Sequence, residues 1–495
     1  MVKSYESTRN PEIRASASEA VLKGIADDGG LYVMRDLEDK KVSINELLGK
    51  GYKEIAEIIL GKMLDDFPEE KVKECVRNAY TNKFSREEIT PLIQVGDNFI
   101  LELFHGPTSA FKDVALSILP HLMTASYEMN NMKGEVIILT ATSGDTGKAA
   151  LEGFKDVEGT KIVVFYPEGG VSQVQKAQMA TQEGKNTFVC SIIGNFDDAQ
   201  TGVKKIFTNE EFNKELLKNN KVLSSANSIN VGRLVPQIVY YFYAYIQLVD
   251  KKVISSGDKV NFAVPTGNFG NILAGYYAKA LGLPVNKLIC ASNENNVLYD
   301  FIKTGVYNRN REFYKTISPS MDILVSSNLE RLLYYLSGKN NALVKELMEE
   351  LNSKGKYEIT QDMWQLLNKD FYGGCVFKED VLKTIKETFE KYGYLLDTHT
   401  AVAYKTMEDY KKETKDKTAT IVLSTASPYK FTRSVYQALY GEAEEDEFTL
   451  MEKLFKNTKV EIPENLKNLQ TKEIRHSHVC KVDEMKKFVI SASEK

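Results

Sequence analysis

The lysine at position 112 has the surroundings that most clearly indicate covalent chemistry. It lies in the segment FHGPTSAFKD (residues 104–113), between a turn that contains glycine and proline and a helical stretch at residues 114–123. Apolar neighbours remove water from an amine, and a neutral amine can attack a carbonyl group to form a Schiff base. A solvated lysine in the first turn of a helix is the alternative, although the positive helix end disfavours a cation there.

Three segments rich in small residues follow strand-like runs and precede helical ones. They are TATSGDTG (140–147), PTGNFGN (265–271) and STASP (424–428). Such turns bind anions, because backbone N–H groups are free there and the next helix adds its positive end. Ordinary connecting turns are the alternative for any one of them, but two glycine-containing loops favour ligands with phosphate. Neither is a standard nucleotide motif: Thr142 and Ala149 break the P-loop pattern, and the second is not GxGxxG.

Six β-branched runs alternate with helical segments after about residue 95. They are residues 135–140, 161–166, 186–193, 260–264, 287–290 and 419–423. Nearly continuous apolar runs separated by helices indicate parallel strands that are covered on both faces. The sequence therefore predicts an α/β fold with open parallel sheets and helices on both faces, up to about residue 440.

The remaining segments are mostly helical in pattern. Apolar residues at helical spacing predict helices at residues 19–25, 44–62 and 69–84. Residues 234–249 are too short and too polar to cross a bilayer, so we expect a buried, amphipathic helix there. The acidic run at residues 441–448 is typical of a solvated linker.

Composition limits the classes of protein that the chain can belong to. Its 495 residues suggest two to four domains, and 64 basic against 68 acidic residues give a net charge of −4. This balance excludes a strongly basic nucleic-acid binder, and we expect neither nucleic acid nor membrane as a partner. Five widely spaced cysteines and an N-terminus without an apolar core predict free thiols in the cytoplasm. His476, His478 and Cys480 alternate without a second ligand group nearby, so no metal is expected.

The order of the motifs resembles the threonine synthase family, pyridoxal phosphate enzymes of fold type II with a tryptophan synthase β-like fold. The motifs are SxxEAxxxGxAxDGGLY (16–32), HGPTSAFKD (105–113), LTATSGDTGKAA (139–150), NSINVGRLVPQ (227–237), VPTGNFGN (264–271), THTAVAY (398–404) and LSTASPYKF (423–431). An N-terminal domain is typical of the longer bacterial and fungal branch.

The resemblance implies a division of the chain into four parts. Residues 1–95 would form a mainly helical N-terminal domain, and residues 131–254 a smaller α/β substrate domain. Residues 96–130 and 255–440 would form the large domain that binds pyridoxal phosphate. Residues 441–495 would form a tail that packs on the large domain.

The resemblance also implies how the cofactor is held. Lys112 would carry it as a Schiff base and then act as the base at the substrate carbons. Thr425 would contact the pyridine nitrogen through a neutral hydroxyl, which leaves that nitrogen largely unprotonated. The loop at residues 267–271 would hold the cofactor phosphate. The implied cofactor contacts are Phe111, Lys112, Gly267, Asn268, Phe269, Gly270, Asn271 and Thr425.

The implied reaction converts O-phospho-L-homoserine and water to L-threonine and phosphate by γ-elimination and β-hydration, the last step of threonine biosynthesis. The implied substrate contacts are Thr142, Ser143, Asp145, Thr146, Asn227, Ser228 and Arg233. Arg233 can bind phosphate through two hydrogen bonds, with a surface salt bridge as the alternative. Asp145 would repel a phosphate, so we expect it to accept a hydroxyl or amide hydrogen bond or to contact the substrate ammonium.

Several points remain open at this stage. His105 and His399 could be catalytic or simply packed. The protein could be a monomer or a homodimer. A threonine dehydratase-like lyase of the same fold type, or a homologue that only binds or cleaves phospho-amino acids, are the alternatives to a synthase.

Overall fold

The computed structural model describes residues 3–132, 134–142 and 144–495, apart from the Asp197 side chain. Ser143, which the sequence analysis assigns to the substrate site, lies outside these ranges. The strands are β1 (Tyr5–Ser7), β2 (Arg14–Ala15), β3 (Tyr32–Met34), β4 (Leu92–Val95), β5 (Asn98–Glu102), β6 (Glu135–Ala141), β7 (Thr160–Pro167), β8 (Thr187–Ile192), β9 (Lys221–Ser224), β10 (Val260–Pro265), β11 (Val285–Ser292), β12 (Val306–Asn308), β13 (Lys356–Glu358), β14 (Phe371–Cys375), β15 (Thr420–Ser424) and β16 (His478–Cys480).

Helices cover most of the sequence between these strands. They are α1 (Ala17–Lys23), α2 (Ile44–Leu47), α3 (Tyr52–Met63), α4 (Glu69–Tyr80), α5 (Lys112–Leu116), α6 (Leu119–Met129), α7 (Asp145–Phe154), α8 (Gln173–Ala180), α9 (Phe196–Phe207), α10 (Glu210–Lys218), α11 (Val231–Asp250), α12 (Gly270–Ala280), α13 (Val297–Thr304), α14 (Leu329–Leu336), α15 (Asn341–Lys354), α16 (Gln361–Asp370), α17 (Lys378–Tyr392), α18 (Thr398–Thr414), α19 (Thr432–Tyr440), α20 (Glu447–Thr458) and α21 (Met485–Glu494).

Two sheets organise the α/β part of the chain. The larger has the order β14-β11-β10-β15-β5-β4, and its strands are parallel except for the antiparallel pair β4–β5. The smaller has the order β16-β8-β7-β6-β9 and is parallel throughout. All six strands predicted after residue 95 are confirmed, as β6, β7, β8, β10, β11 and β15. The predicted α/β class with parallel sheets is therefore confirmed.

The N-terminal region departs from the prediction in three respects. It contains an antiparallel sheet of order β2-β1-β3, which the helical pattern did not reveal. The helix predicted at residues 44–62 is divided into α2 and α3, because Gly49 adopts a φ of 70° between them. Residues 92–95, assigned to the N-terminal domain, form β4 and pair with β5 of the larger sheet.

The helix predicted within residues 234–249 is confirmed as α11, and it lies at the centre of the molecule. Every side chain from Val231 to Leu248 is buried, so protein encloses α11 on all sides and the helix lacks the exposed face of an amphipathic helix. Arg233, Gln237 and Gln247 are its buried polar side chains, apart from the tyrosines. The amide of Gln247 pairs with the backbone of Leu92 and Thr90 at 3.0 Å each. Across the described residues, we find no helix with the length and apolar character needed to cross a membrane.

The C-terminal tail was predicted to pack on the large domain, but only part of it does so. Strand β16 pairs in parallel with β8, at the edge of the smaller sheet. Met485 and Val489 of α21 are buried in a cluster with Ile137 and Phe165 of that sheet. Only the earlier part of the tail, including Leu454 and other residues of α20, packs against the larger sheet's cluster. The short, mixed pattern of β16 carried no signal for this placement.

The tail packing predicts a stability effect at Met485. Replacing this buried side chain with alanine should leave a cavity and lower the free energy of unfolding by about 3 kcal/mol. Denaturant unfolding of Met485→Ala measures it, with Lys487→Ala, at an exposed position of the same helix, as the control. Equal stability of the two variants would show that α21 does not contribute to the core.

Candidate active site

The lysine loop and the Thr425 loop meet because their strands are neighbours. Strands β5 and β15 are adjacent and parallel, so both loops leave from the same carboxyl edge of the sheet. A bridge pairs Ala110 with Ala426, and the N–H of Phe111 donates to the carbonyl of Thr425 at 2.8 Å. Strand β10, which precedes the loop at residues 266–269, lies on the other side of β15. The three loops therefore leave from the same edge of the larger sheet, and their joint contact with a cofactor stays a prediction.

Lys112 begins α5 and keeps an environment that favours a neutral amine. Burial lowers the pKa of Lys112 to about 8, while the carboxylate of Asp145 opposes this change. The guanidinium of Arg233 and the ammonium of Lys430 also lower it, so both lie within electrostatic range. The amine lies 5.7 Å from the ring centre of Phe111 and donates to the Ser320 hydroxyl at 3.4 Å.

Asp113 shapes the turn that presents the lysine. Its carboxylate accepts hydrogen bonds from the amide of Thr108 at 2.8 Å and from the Thr108 hydroxyl at 2.5 Å. Gly106 packs so closely against it that a Cβ atom there would lie 2.4 Å from the Asp113 Cβ. Burial raises the pKa of Asp113 to about 6. The motif residues around Lys112 thus build the loop and fix where α5 starts.

The glycine loop after β10 has the features of a phosphate cradle. Phe269 is buried with a φ of 63°, which turns the chain into the N-terminus of α12. Gly267 lies close to the Ser320 carbonyl: a Cβ atom on this glycine would lie 2.6 Å from the carbonyl oxygen. Asn271 accepts from the hydroxyls of Tyr240 and Tyr241, whereas its buried amide nitrogen has no partner among the described residues. A buried donor without a partner is costly, so this nitrogen fits an anionic ligand.

The loop after β6 is held by its own threonine. The Thr142 hydroxyl accepts from the amides of Gly144 at 3.0 Å and Gly147 at 2.9 Å. Thr142 therefore closes the turn at the start of α7, and its contact with a substrate stays a prediction. Thr146 follows on the first turn of the helix and is half-buried.

Asp145 is paired with a lysine that the sequence analysis missed. Its carboxylate contacts the Lys430 ammonium at 3.0 Å and accepts from the amide of Gln175 at 2.9 Å. The hydrogen bond from the Gln175 amide is one of the contacts expected for Asp145. Burial favours its neutral form, but the charges of Lys430 and Lys112 outweigh this and hold the pKa of Asp145 well below its usual range. The pair joins α7 to the segment after β15. Lys430 also donates to the carbonyl of Thr108, in the loop that precedes Lys112.

Arg233 is buried, which contradicts the alternative of a surface salt bridge. Its side chain is 3% exposed and donates to the carbonyl of Ala226 at 2.5 Å. Its Nε has no partner among the described residues, and no carboxylate pairs with it there. Burial lowers the pKa of Arg233 to about 10. A buried guanidinium without a counterion fits a site for an anion.

The other predicted residues occupy the same region with fewer contacts. Asn227 and Ser228 lie in the turn after β9, which is the neighbour of β6 in the smaller sheet. Asn227 is exposed, and the Ser228 hydroxyl lies 3.5 Å from the amide nitrogen of Asn328. Thr425 is buried, and its amide donates to the Thr400 hydroxyl at 3.3 Å.

The two histidines left open by the sequence have protein partners. His105 lies 2.7 Å from a carboxylate oxygen of Glu102 and 3.2 Å from the Ser85 hydroxyl. His399 is buried; its Nε2 accepts the N–H of Ser320 at 3.1 Å, and Nδ1 lies 3.2 Å from Asp397. His399 thereby supports the segment that contacts Lys112, without touching the amine itself. His476, from the group weighed as a metal site, lies 2.9 Å from the Gln182 carbonyl.

Matches to known protein families cover nearly the whole chain. Residues 4–80 match the family described as "Threonine synthase N terminus", and residues 400–489 match "Threonine synthase, C-terminal". Residues 87–425 match the family described as "Pyridoxal-phosphate dependent enzyme".

Known relatives and a solved structure agree with these matches. "Threonine synthase-like 1" of Homo sapiens is 43% identical over 85% of this chain, and the chain spans 58% of that longer relative. "Threonine synthase" of Saccharomyces cerevisiae is 37% identical over 94% of this chain and 93% of its own. The crystal structure of threonine synthase from Brucella melitensis with bound pyridoxal phosphate is 36% identical, covers both chains completely and has a TM-score of 0.88.

The buried pair of Asp145 and Lys430 predicts a stability effect that depends on pH. Lys430→Met leaves a buried carboxylate without its counterion and should lower the free energy of unfolding by about 3 to 5 kcal/mol. Adding Asp145→Asn should restore most of this loss. Because the pKa of Asp145 is lowered on folding, the pair stabilises the wild type above pH 3.8 and loses this contribution as the pH falls.

Denaturant unfolding at several pH values measures these effects. Lys345→Met is the control, because Lys345 forms an exposed ion pair with Glu349 at 3.9 Å and its loss should change stability by less than about 0.5 kcal/mol. An equally small change for Lys430→Met would contradict a buried ionised pair.

Proposed function

Because the chain belongs to the threonine synthase family of pyridoxal phosphate-dependent enzymes, we propose that it converts O-phospho-L-homoserine and water to L-threonine and phosphate. One observation carries the proposal: Arg233 is a buried cation without a described counterion, and its helix α11 packs against α5, which begins at Lys112. A substrate with phosphate at one end and an amino acid at the other would bridge these two groups. Substrates of dehydratases have no phosphate to place against Arg233.

We assign the cofactor to the carboxyl edge of the larger sheet. Lys112 would attach it, with Phe111 beside the amine and Thr425 at the ring nitrogen. The loop from Gly267 through Asn268, Phe269 and Gly270 to Asn271 would hold its phosphate, with the positive end of α12 and the unpartnered Asn271 amide facing that group. When bound there, pyridoxal phosphate stores the negative charge that develops on substrate carbon.

Lys112 would move the protons of the reaction. Its pKa of about 8 keeps a usable fraction of neutral amine near physiological pH. From the start of α5 it would remove the proton at the α carbon and then one at the β carbon. Loss of the γ-phosphate follows, and a proton returns to the γ carbon, which becomes the methyl group. Water then adds its hydroxyl group at the β carbon, and a second proton returns to the α carbon to give threonine. The position of Lys112 next to the substrate supplies the proximity that this sequence of transfers needs.

The smaller sheet would bind the substrate phosphate. Arg233 donates in a fixed fork that matches phosphate oxygens, and burial strengthens this attraction. Thr146, Asn227 and Ser228 would add neutral donors from the two neighbouring loops, as would Ser143. Asp145 would stay clear of the phosphate, because Lys430 and Gln175 already hold its carboxylate.

The setting of the reaction is a further part of the proposal. The free cysteines are consistent with a reducing compartment, so we place the enzyme in the cytoplasm. We expect it to act as a monomer or homodimer at the last step of threonine biosynthesis.

Replacing Lys112 tests the attachment of the cofactor. The purified protein should absorb in the near-visible region, and borohydride reduction should fix the cofactor on Lys112, as peptide mass spectrometry can identify. Lys112→Ala should lose the band on dialysis and release no phosphate from O-phospho-L-homoserine, whereas Lys345→Ala at an exposed position should keep both. A colourless wild-type protein that releases no phosphate from O-phospho-L-homoserine would contradict the proposed function. Deamination of threonine with O-phospho-L-homoserine left intact would favour the dehydratase-like alternative.

Replacing Arg233 tests the phosphate site. Arg233→Met removes a charged hydrogen-bonding group, so KM for O-phospho-L-homoserine should rise about tenfold to a hundredfold. Inhibition by inorganic phosphate should weaken in parallel. Arg475→Met, at an exposed arginine of the tail, is the control and should change neither constant. An unchanged KM in a folded Arg233→Met protein would place the phosphate elsewhere.

A further inference from the structure

A second buried arginine, Arg331, links the two loops to which we assign phosphates. It lies on α14, is fully buried, and its guanidinium donates three hydrogen bonds to different segments. Nε donates to the carbonyl of Tyr32 at 2.8 Å, Nη1 to the side-chain oxygen of Asn328 at 2.5 Å, and Nη2 to the carbonyl of Ile229 at 2.5 Å. One planar group therefore fixes three segments that are far apart in the sequence.

The contact with Asn328 leads to the cofactor loop. An arginine can only donate, so it fixes the oxygen of the Asn328 amide towards itself and turns the amide nitrogen the other way. That nitrogen donates to the carbonyl of Asn268 at 3.0 Å, and the backbone N–H of Asn328 donates to the same oxygen at 3.1 Å. Asn328 is fully buried, so water does not compete for these bonds. Arg331 thus orients the side chain that makes one of the two hydrogen bonds to the Asn268 carbonyl.

The contact with Ile229 leads to the substrate loop. The turn at residues 226–230 is closed by a bond from the amide of Asn230 to the carbonyl of Asn227 at 3.1 Å. Arg233 holds the carbonyl of Ala226, at one end, and Arg331 holds that of Ile229, near the other. Asn227 and Ser228 lie between these two clamped carbonyls. Their orientation therefore depends on both guanidinium groups.

The charge of Arg331 is not neutralised by its hydrogen-bond partners. All three described acceptors are neutral oxygens, and the neighbouring Glu330 instead pairs with Arg9 at 2.8 Å. Burial lowers the pKa of Arg331, which shows how unfavourable the site is for a cation on its own. Negative ligands at both flanking loops would interact favourably with this charge. Both the hydrogen bonds and the charge point towards the anion sites.

We propose that Arg331 is a positioning residue for both phosphates, ordering the cofactor loop through Asn328 and the substrate loop through Ile229. The substrate part rests on the proposed function, whereas the cofactor part does not. The contact with Tyr32 couples this ordering to the N-terminal sheet. Arg331 then acts on binding of cofactor and substrate together, without touching either.

The matched control is Arg9, which also ties the N-terminal region to α14. Arg9 makes a two-bond contact with Glu330, and its described contacts do not include the phosphate loops. If Arg331 only anchored the N-terminal region, Arg9→Met would have the same effect as Arg331→Met. Asn328→Leu serves a different purpose, because it removes the side-chain bond to the cofactor loop and the 3.5 Å contact with Ser228, but leaves the bond from Arg331 to Ile229.

The experiment compares these variants by two binding constants. The apparent Kd for pyridoxal phosphate is taken from absorbance titration of the apoenzyme, and KM and kcat for O-phospho-L-homoserine from phosphate release. Arg331→Met should raise both Kd and KM by about tenfold or more, with a smaller change in kcat. Arg331→Lys should raise Kd and KM less than Arg331→Met does, since lysine keeps the positive charge but lacks the planar guanidinium group with its several donors. Asn328→Leu should raise Kd by a larger factor than KM, because the bond that it removes from the cofactor loop is shorter than its 3.5 Å contact with Ser228. Arg9→Met should change neither constant by more than about twofold.

Two results would overturn the proposal. One is a folded Arg331→Met or Arg331→Lys protein with wild-type Kd and KM. The other is an Arg9→Met protein that reproduces the losses of Arg331→Met. If Arg331→Met does not fold, Arg331→Lys and Asn328→Leu decide the matter. If the wild type released no phosphate, the proposed function would fail, while Kd for pyridoxal phosphate would still decide the role of Arg331.

Discussion

The parallel pairing of β5, β15 and β10 is the constraint on which the site depends. Parallel neighbours end at one edge of the sheet, so the loops after them must share the space above that edge. The bond from Phe111 to Thr425 then fixes two of these loops to each other at 2.8 Å. Without this arrangement, the lysine, the threonine and the glycine loop would be distant positions of the chain. In the smaller sheet, β6 and β9 are also parallel neighbours, so the loops that follow them start from the same edge.

Buried charge is the second organising feature, and it is treated in two ways. Asp145 and Lys430 neutralise each other across the boundary between the two sheets, where they hold α7 to the segment after β15. Arg233 and Arg331 instead have neutral acceptors alone among the described hydrogen bonds. Burying an unpaired cation is costly, and a protein retains one where a negative ligand completes the site. We propose that the substrate phosphate completes the site at Arg233, whereas Arg331 touches neither phosphate and acts through the two loops beside it.

Much of the fold and part of the site followed from local patterns. The six strands after residue 95 carry continuous apolar runs, and α11 carries apolar residues on all sides, so period and length were sufficient. Strands such as β4 and β16 are short and half-exposed, and their pairing depends on distant partners. The same holds for Lys430, Asn328 and Arg331, because a charged or amide residue has no local pattern that reveals burial. Their roles come from contacts across as many as 322 positions of sequence.

The sequence by itself determined the chemistry that the chain can offer: a lysine after a tight turn, glycine loops before helices, and a threonine directly after a buried strand. These depend on residue type and on neighbours along the chain, which local order preserves. Only the tertiary structure decided which of these groups lie at one edge of the larger sheet and what holds them there. It also removed the surface alternative for Arg233 and moved the end of the tail to the smaller sheet. Burial and pairing are properties of the packed chain, and a linear pattern does not contain them.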